Sequence, residues 1–228
     1  MATPLFRAAL AALLVTVGTA YNMTMDEIKQ FSVAHNTYRC MHGVDMVPWD
    51  LCVAASAENW AEREKFEHSN SYDLPPCEGP AAENLAKYYA TPTTAVAGWY
   101  SEKDKYFTNG DEKGAGKFVK EAGHFTIIVW KGMTSFGCGK KDTLFVCRYK
   151  GGDTLTTDTP NMEGGFEENV LAAKNDEAGC RVKAEGYFAE TGTTTNTTQS
   201  AAPMLSTPSM IATASAVVVP LLFATGLH

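Results

Sequence analysis

Apolar residues recur at helical spacing near the start of the chain and gather into short continuous runs after residue 123. Thr24-Met25-Asp26-Glu27 has the form of a capping box, and Ile28, Phe31, Ala34, His35 and Tyr38 follow three and four residues apart. This predicts a first helix that ends at Gly43. Pro48-Trp49-Asp50 opens a second, over LCVAASAENWAEREKFEHS, whose small residues allow close packing and which is expected to end near His68. Pro75, Pro76, Gly79 and Pro80 mark residues 69–82 as a loop. Thr91-Pro92 combines an N-cap with proline at the first helical position, so a third helix is predicted over TTAVAGWYSEKDKYF. Residues 108–122 are rich in Gly, Lys and Asp and read as an exposed loop.

From His124 the pattern changes. HFTIIVW is dense in β-branched and aromatic residues and reads as a strand, followed by TSFGCG and TLFVCRY around a turn at Lys140-Lys141-Asp142. Uninterrupted apolar runs such as IIVW fit strands covered on both faces. Helices first and strands later predict an α+β domain with helices on either side of a sheet. Residues 151–190 are acidic and less periodic.

Both termini have the pattern of processing signals. Residues 1–20 carry one positive charge at Arg7, an apolar run from Ala8 to Val17, and small residues Gly18 and Ala20. This is the form of a secretory signal peptide, the apolar run being short for a membrane anchor. Residues 191–209 read as a Ser/Thr-rich stalk. Residues 210–228 form an apolar tail with no Lys or Arg behind it. With small residues at Ser200, Ala201 and Ala202, the tail fits a GPI-attachment signal; a plain C-terminal span is the alternative.

An exported chain implies an oxidising compartment, so the six cysteines are expected in disulfides. Cys138 and Cys147 flank a turn and a strand and can bridge across neighbouring strands. Cys40, Cys52, Cys77 and Cys180 leave three pairings open. No CxxC spacing points to a zinc–thiolate site. Asn22 and Asn196 head glycosylation sequons. The net charge of −7 over 228 residues, with no basic block, argues against nucleic acid as a partner.

GHFTIIVW with Gly137-Cys138 downstream resembles a signature of the CAP superfamily, which includes cysteine-rich secretory proteins, venom antigens and class-one pathogenesis-related proteins. Further stretches match in order: His35-Asn-Thr-Tyr-Arg39, Val47-Pro-Trp-Asp50, Phe66-Glu-His68-Ser69, Ala82-Glu83-Asn84-Leu85, Trp99-Tyr-Ser-Glu102 and Phe145-Val-Cys147-Arg-Tyr149. The resemblance implies a CAP domain over 21–155, folded as a three-layer α-β-α sandwich, with an acidic extension over 156–190. It implies that His68, Glu83, Glu102 and His124 meet in one cleft. Such a set can hold a divalent metal, zinc or a similar ion, through the imidazoles, with the carboxylates as ligands or as orienters of the rings. A buried His–Glu network that only stiffens the core is the plainer alternative. No nucleophile stands beside a base by motif, no cofactor is required, and the reading leans away from an enzyme.

In fungal and plant relatives the resemblance points to sterol or lipid binding, and to roles between organisms. A loop before the His124 segment is linked to sterol capture; here it carries Tyr106, Phe107 and Phe118. The expected protein is therefore extracellular, secreted or GPI-anchored, and binds a sterol or other lipid or a surface protein partner. A metal-dependent hydrolase or peptidase centred on His68 and His124, and a non-catalytic interaction module, are the alternatives. His35 and His42 are expected on helix faces, and Trp49, Trp60 and Trp99 in the core.

Overall fold

A computed structural model of the chain describes residues 22–71, 79–108 and 111–198. The expected signal peptide, Cys77 and the C-terminal tail lie outside them.

Helix α1 (Met25–Met41) starts where the capping box predicts: the Glu27 amide donates to Thr24 Oγ1 at 3.2 Å and the Thr24 amide to Glu27 Oε2 at 2.8 Å. Asp50 caps α2 (Leu51–Ala61) by accepting from the Cys52 and Val53 amides. This helix stops well before His68. The chain turns out of it at Glu64, and the Trp60 indole donates to the Glu67 carbonyl. Strand β1 (Ala81–Lys87) was not expected from the sequence. Helix α3 (Pro92–Tyr100) is capped by Thr91, and α4 (Lys103–Tyr106) is a single turn after a break at Ser101-Glu102.

The run read as the first strand, HFTIIVW, is mostly helix α5 (Gly123–Ile128). A fully buried apolar run is compatible with either state, and tertiary contacts decide. Here the Glu102 carboxylate accepts from the amides of His124 (3.0 Å) and Phe125 (3.3 Å), satisfying the free N–H groups that a helix start exposes. Strands β2 (Ser135–Lys141) and β3 (Leu144–Lys150) form the expected hairpin. A turn α6 (Phe166–Asn169) and a long α7 (Glu177–Thr198) follow. Thus the segment expected to be irregular ends in a helix that runs into the expected stalk. Ala184 on α7 is buried and Phe188 packs on the core, while Cys180 is bonded to Cys40 of α1.

The sheet is antiparallel throughout, in the order β1-β3-β2. Side chains alternate across it, so each face meets a different helix layer. Phe136, Phe145 and Tyr149 face α1, where Phe31 meets Phe145 edge-on at 5.4 Å and His35 lies 4.5 Å from the Phe136 ring. Leu85, Leu144 and Val146 pack on the other face against Ala57 and Ala61 of α2. With α1, α3 and α5 on one side and α2 on the other, the domain is an α-β-α sandwich. Arg39, fully buried, ties α1 to the end of α5 by donating to the carbonyls of Ile128 (3.1 Å) and Trp130 (2.8 Å).

Candidate functional site

The four residues expected to meet form two His–Glu pairs, His68 with Glu83 and His124 with Glu102. Glu83 points to the α2 face. Its Oε1 accepts from His68 Nδ1 (3.0 Å) and the Ser69 amide (2.9 Å); its Oε2 accepts from Ser69 Oγ (2.6 Å) and Arg148 Nε (3.1 Å). Arg148 also donates to Ser69 Oγ at 2.7 Å, and to the Ser56 carbonyl and hydroxyl on α2. The Glu83 side chain is 2% exposed, whereas its partner His68 is 63% exposed. Burial pushes the Glu83 carboxyl upward, but donors from His68 and Ser69 and the Arg148 charge outweigh it and leave the pKa below its ordinary value.

The second pair joins α5 to the segment after α3. His124 Nδ1 lies 2.6 Å from Glu102 Oε1, and its ring stacks on Trp99 at 6.1 Å. Asn84, the neighbour of Glu83 on β1, donates to the His124 carbonyl (3.2 Å) and to the Tyr149 hydroxyl (3.3 Å). Tyr149 in turn donates to His35 Nε2 (2.9 Å), because His35 Nδ1 donates to the Phe31 carbonyl. Burial forces His35 down to about 3 despite the Phe31 carbonyl, so the ring is neutral. His42, the C-cap of α1, is also buried: Nδ1 donates to the Leu171 carbonyl and Nε2 accepts from Tyr100.

A carboxylate only accepts, so His68 and His124 each donate from Nδ1, which in the neutral tautomer leaves the lone pair at Nε2. All four oxygens of Glu83 and Glu102 are occupied by protein donors, which makes the carboxylates orienters of the rings. Two imidazole nitrogens are fewer than the three protein ligands of a usual catalytic zinc site. Among the described residues no three His, Cys, Asp or Glu side chains group as a ligand set.

Sequence reasoning missed Arg148, Ser69, Asn84 and Tyr149 as parts of this network. The available signal was Arg148 itself, a lone charge inside the buried strand FVCRY. Of the loop aromatics, Tyr106 is buried, Phe107 half-buried against Phe125 at 5.9 Å, and Phe118 is 55% exposed. Trp99 is buried; Trp49 and Trp60 are partly buried at the core's edge. The bridge Cys138–Cys147 is present, Cys40 pairs with Cys180, and Cys52 is also disulfide-bonded. Asn22 is exposed, its side chain donating to Glu62; the side chain of Asn196 is outside the described set.

Beside the loop lies a cavity of about 610 Å³, bounded by residues 111–116 on one side and by Glu167, Val170, Leu171 and Ala172 on the other. Its walls mix apolar side chains with charges at Asp111, Glu112, Lys113 and Glu167.

The family model described as "CAP: Cysteine-rich secretory protein family" matches residues 33–149, which is 117 of the 228 residues. The chain is 35% identical over 144 residues to Protein PRY2 of Saccharomyces cerevisiae, covering 60% of this chain and 39% of that protein. It is 32% identical over 151 residues to Secreted protein RBT4 of Candida albicans, covering 63% and 40%. The chain thus spans about two fifths of the length of these relatives. The solved structure of BmVAL-1 superposes with a TM-score of 0.51 at 17% identity, over 68% of this chain and 87% of that one.

Proposed function

The chain belongs to the CAP, or cysteine-rich secretory protein, family, and from that premise we propose that it acts outside the cell as a non-catalytic binder of a sterol or another amphipathic lipid. The observation that carries this reading is the cavity of about 610 Å³ beside residues 111–116. That volume falls in the range of small-molecule sites, roughly 300–1,000 Å³. Val170, Leu171 and Ala172 offer an apolar wall, and Asp111, Glu112, Lys113 and Glu167 offer polar groups for one end of the ligand. An extracellular setting is consistent with the disulfides and with a relative named as a secreted protein. Among the described residues no helix is long and apolar enough to cross a membrane.

The same reading keeps a GPI anchor at the C-terminal tail and a glycan on Asn22; release by a phosphatidylinositol-specific phospholipase and a glycosidase mobility shift test them. The test of the lipid reading is titration of the oxidised protein with radiolabelled sterol and fatty acid, with and without a chelator. Saturable binding that persists in chelator, survives His124→Ala and is weakened by Leu171→Trp is expected. Absence of binding to both ligand classes overturns it and favours an extracellular protein partner.

A second reading, a metal-dependent hydrolase at His68 and His124, draws on the lone pairs left at the two Nε2 atoms. It requires turnover that is lost in chelator and in His124→Ala.

A further inference from the structure

At the opposite side of α2 from its cap, three chain segments meet around a cavity of about 160 Å³ lined by Glu64, Lys87, Tyr88, Lys141, Asp142 and their neighbours Thr143 and Leu144. Glu64 follows the last turn of α2, Tyr88 follows β1, and Asp142 sits at the tip of the β2–β3 hairpin. Three of the four non-glycine residues with positive φ among the described residues are these: Glu64 at 57°, Tyr88 at 67° and Asp142 at 48°. The backbone form has local reasons at two of them, since Glu64 closes a helix end by donating to the Ala61 carbonyl and Asp142 turns a hairpin. Glycine would serve these positions with less strain, and a left-handed Tyr or Glu costs about 1 kcal/mol or more. The chain instead keeps a side chain at each, and all three converge on one cavity.

The chemistry of the lining narrows the ligand. Tyr88 is 78% exposed, with Lys87 Nζ 5.3 Å from one ring face. Two carboxylates, Glu64 and Asp142, alternate with two ammonium groups, Lys87 and Lys141, and Lys141 also donates to Glu62 at 2.8 Å. An anion entering here meets Glu64 and Asp142; a cation meets both lysines. A neutral ligand dense in hydroxyls meets neither conflict, finds donors and acceptors side by side, and can lie against the open aromatic face. The volume admits one ring of such a ligand, with the rest of the chain in solvent. We propose that this cavity is a binding site for one sugar unit of a neutral saccharide, with Tyr88 as the stacking platform and Glu64, Asp142 and the two lysines as hydroxyl partners. The proposal is independent of the lipid reading, which concerns a different cavity.

The test uses amide chemical shifts of the full-length, disulfide-bonded protein titrated with cellotetraose, laminaritetraose, chitotetraose and mannotetraose. Saturable shifts at Tyr88, Asp142 and Thr143 with at least one of the four, at millimolar or lower concentration, are expected. Tyr88→Gly removes the platform while relieving the left-handed backbone, so it is expected to keep or raise the thermal midpoint and to weaken binding about tenfold or more. Glu64→Gly is expected to behave in the same way. The proposal is overturned by the absence of saturable shifts with all four saccharides, or by a Tyr88→Gly protein that binds as tightly as the parent.

Discussion

Arg148 Nε lies 3.1 Å from Glu83 Oε2, and the two side chains are 3% and 2% exposed. The pair joins β3 to β1 and, through Ser56, to α2, and it fixes the carboxylate that orients His68. Removing one charge strands the other in the interior, which typically costs 3–5 kcal/mol. Arg148→Met should therefore lose about that much in denaturant unfolding. The double change Glu83→Gln with Arg148→Met should recover a large part of it, because no unpaired charge remains. Equal losses in the single and double variants would mean that packing, not charge, makes the contribution.

His42 gives the fold an acid dependence with a defined sign. Burial, helped by the Lys103 charge and opposed by the Leu171 carbonyl, brings it down to about 4 from 6.5. The unfolded chain then takes a proton first as pH falls. The stability is fully present above about 6.5 and is lost as pH drops from there toward 4, by at most about 1.4 kcal/mol per pH unit for one site. His35, at about 3, adds a second proton over a window reaching lower. Denaturant melts between pH 7.5 and 5 should show His42→Gln less stable at neutral pH yet flatter on acidification. Every other titrating group is common to both proteins, so parallel slopes would remove His42 from the account.

The parts of this fold that were legible in the sequence are those where a local rule and the tertiary structure agree. Thr24 and Thr91 cap helices because a hydroxyl there satisfies free amides wherever the helix packs. The β2–β3 hairpin is local, and its disulfide follows from its register, with Cys138 opposite Cys147. Strand β1 was hidden because AAENLAK lacks β-branched residues; its strand state comes from pairing with β3, about sixty residues on in the chain. HFTIIVW has strand composition, and only Glu102, from another segment, shows why it starts a helix. At the site, the family motifs brought His68, Glu83, Glu102 and His124 to notice. That both carboxylates are fully engaged by protein donors depends on Arg148, Ser69 and the α5 amides, which no spacing relates to them.

The two bridges differ in what they restrain. Cys40–Cys180 closes a separation of 140 residues and holds α7 on α1; Cys138–Cys147 closes nine within one hairpin. On the chain-entropy account the first is worth about 5 kcal/mol and the second roughly 2.5 kcal/mol. Replacing Cys40 and Cys180 together by Ala should produce the larger drop in unfolding free energy. It should also raise amide exchange over residues 177–192 while leaving the β2–β3 amides protected. Uniform loss of protection across the sheet would show instead that α7 and the sandwich unfold as one unit.

Gly137 and Gly186 should respond to alanine in opposite directions. Gly137 and Gly139 lie on β2 directly against α2, and a Cβ on Gly137 would run into the backbone of Ala54 and Asp50. Backbone cannot swing aside as a flexible side chain can. The sheet and helix would have to separate along the whole α2 contact, disturbing Arg148 and Ser56 nearby. Gly137→Ala is expected to cost about 1–3 kcal/mol, the usual range for overpacking, and to shift amides of α2. Gly186 lies in the exposed middle of α7, and a Cβ there meets nothing within 4 Å. Its replacement by Ala only removes the helix penalty of glycine, so Gly186→Ala should raise stability by about 0.5–1 kcal/mol. Thermal and denaturant midpoints of the two variants decide the matter. A neutral Gly137→Ala would mean that α2 is not seated on β2 as closely as these contacts require, and with it the Glu83–Arg148 network that orients His68 would lose its frame.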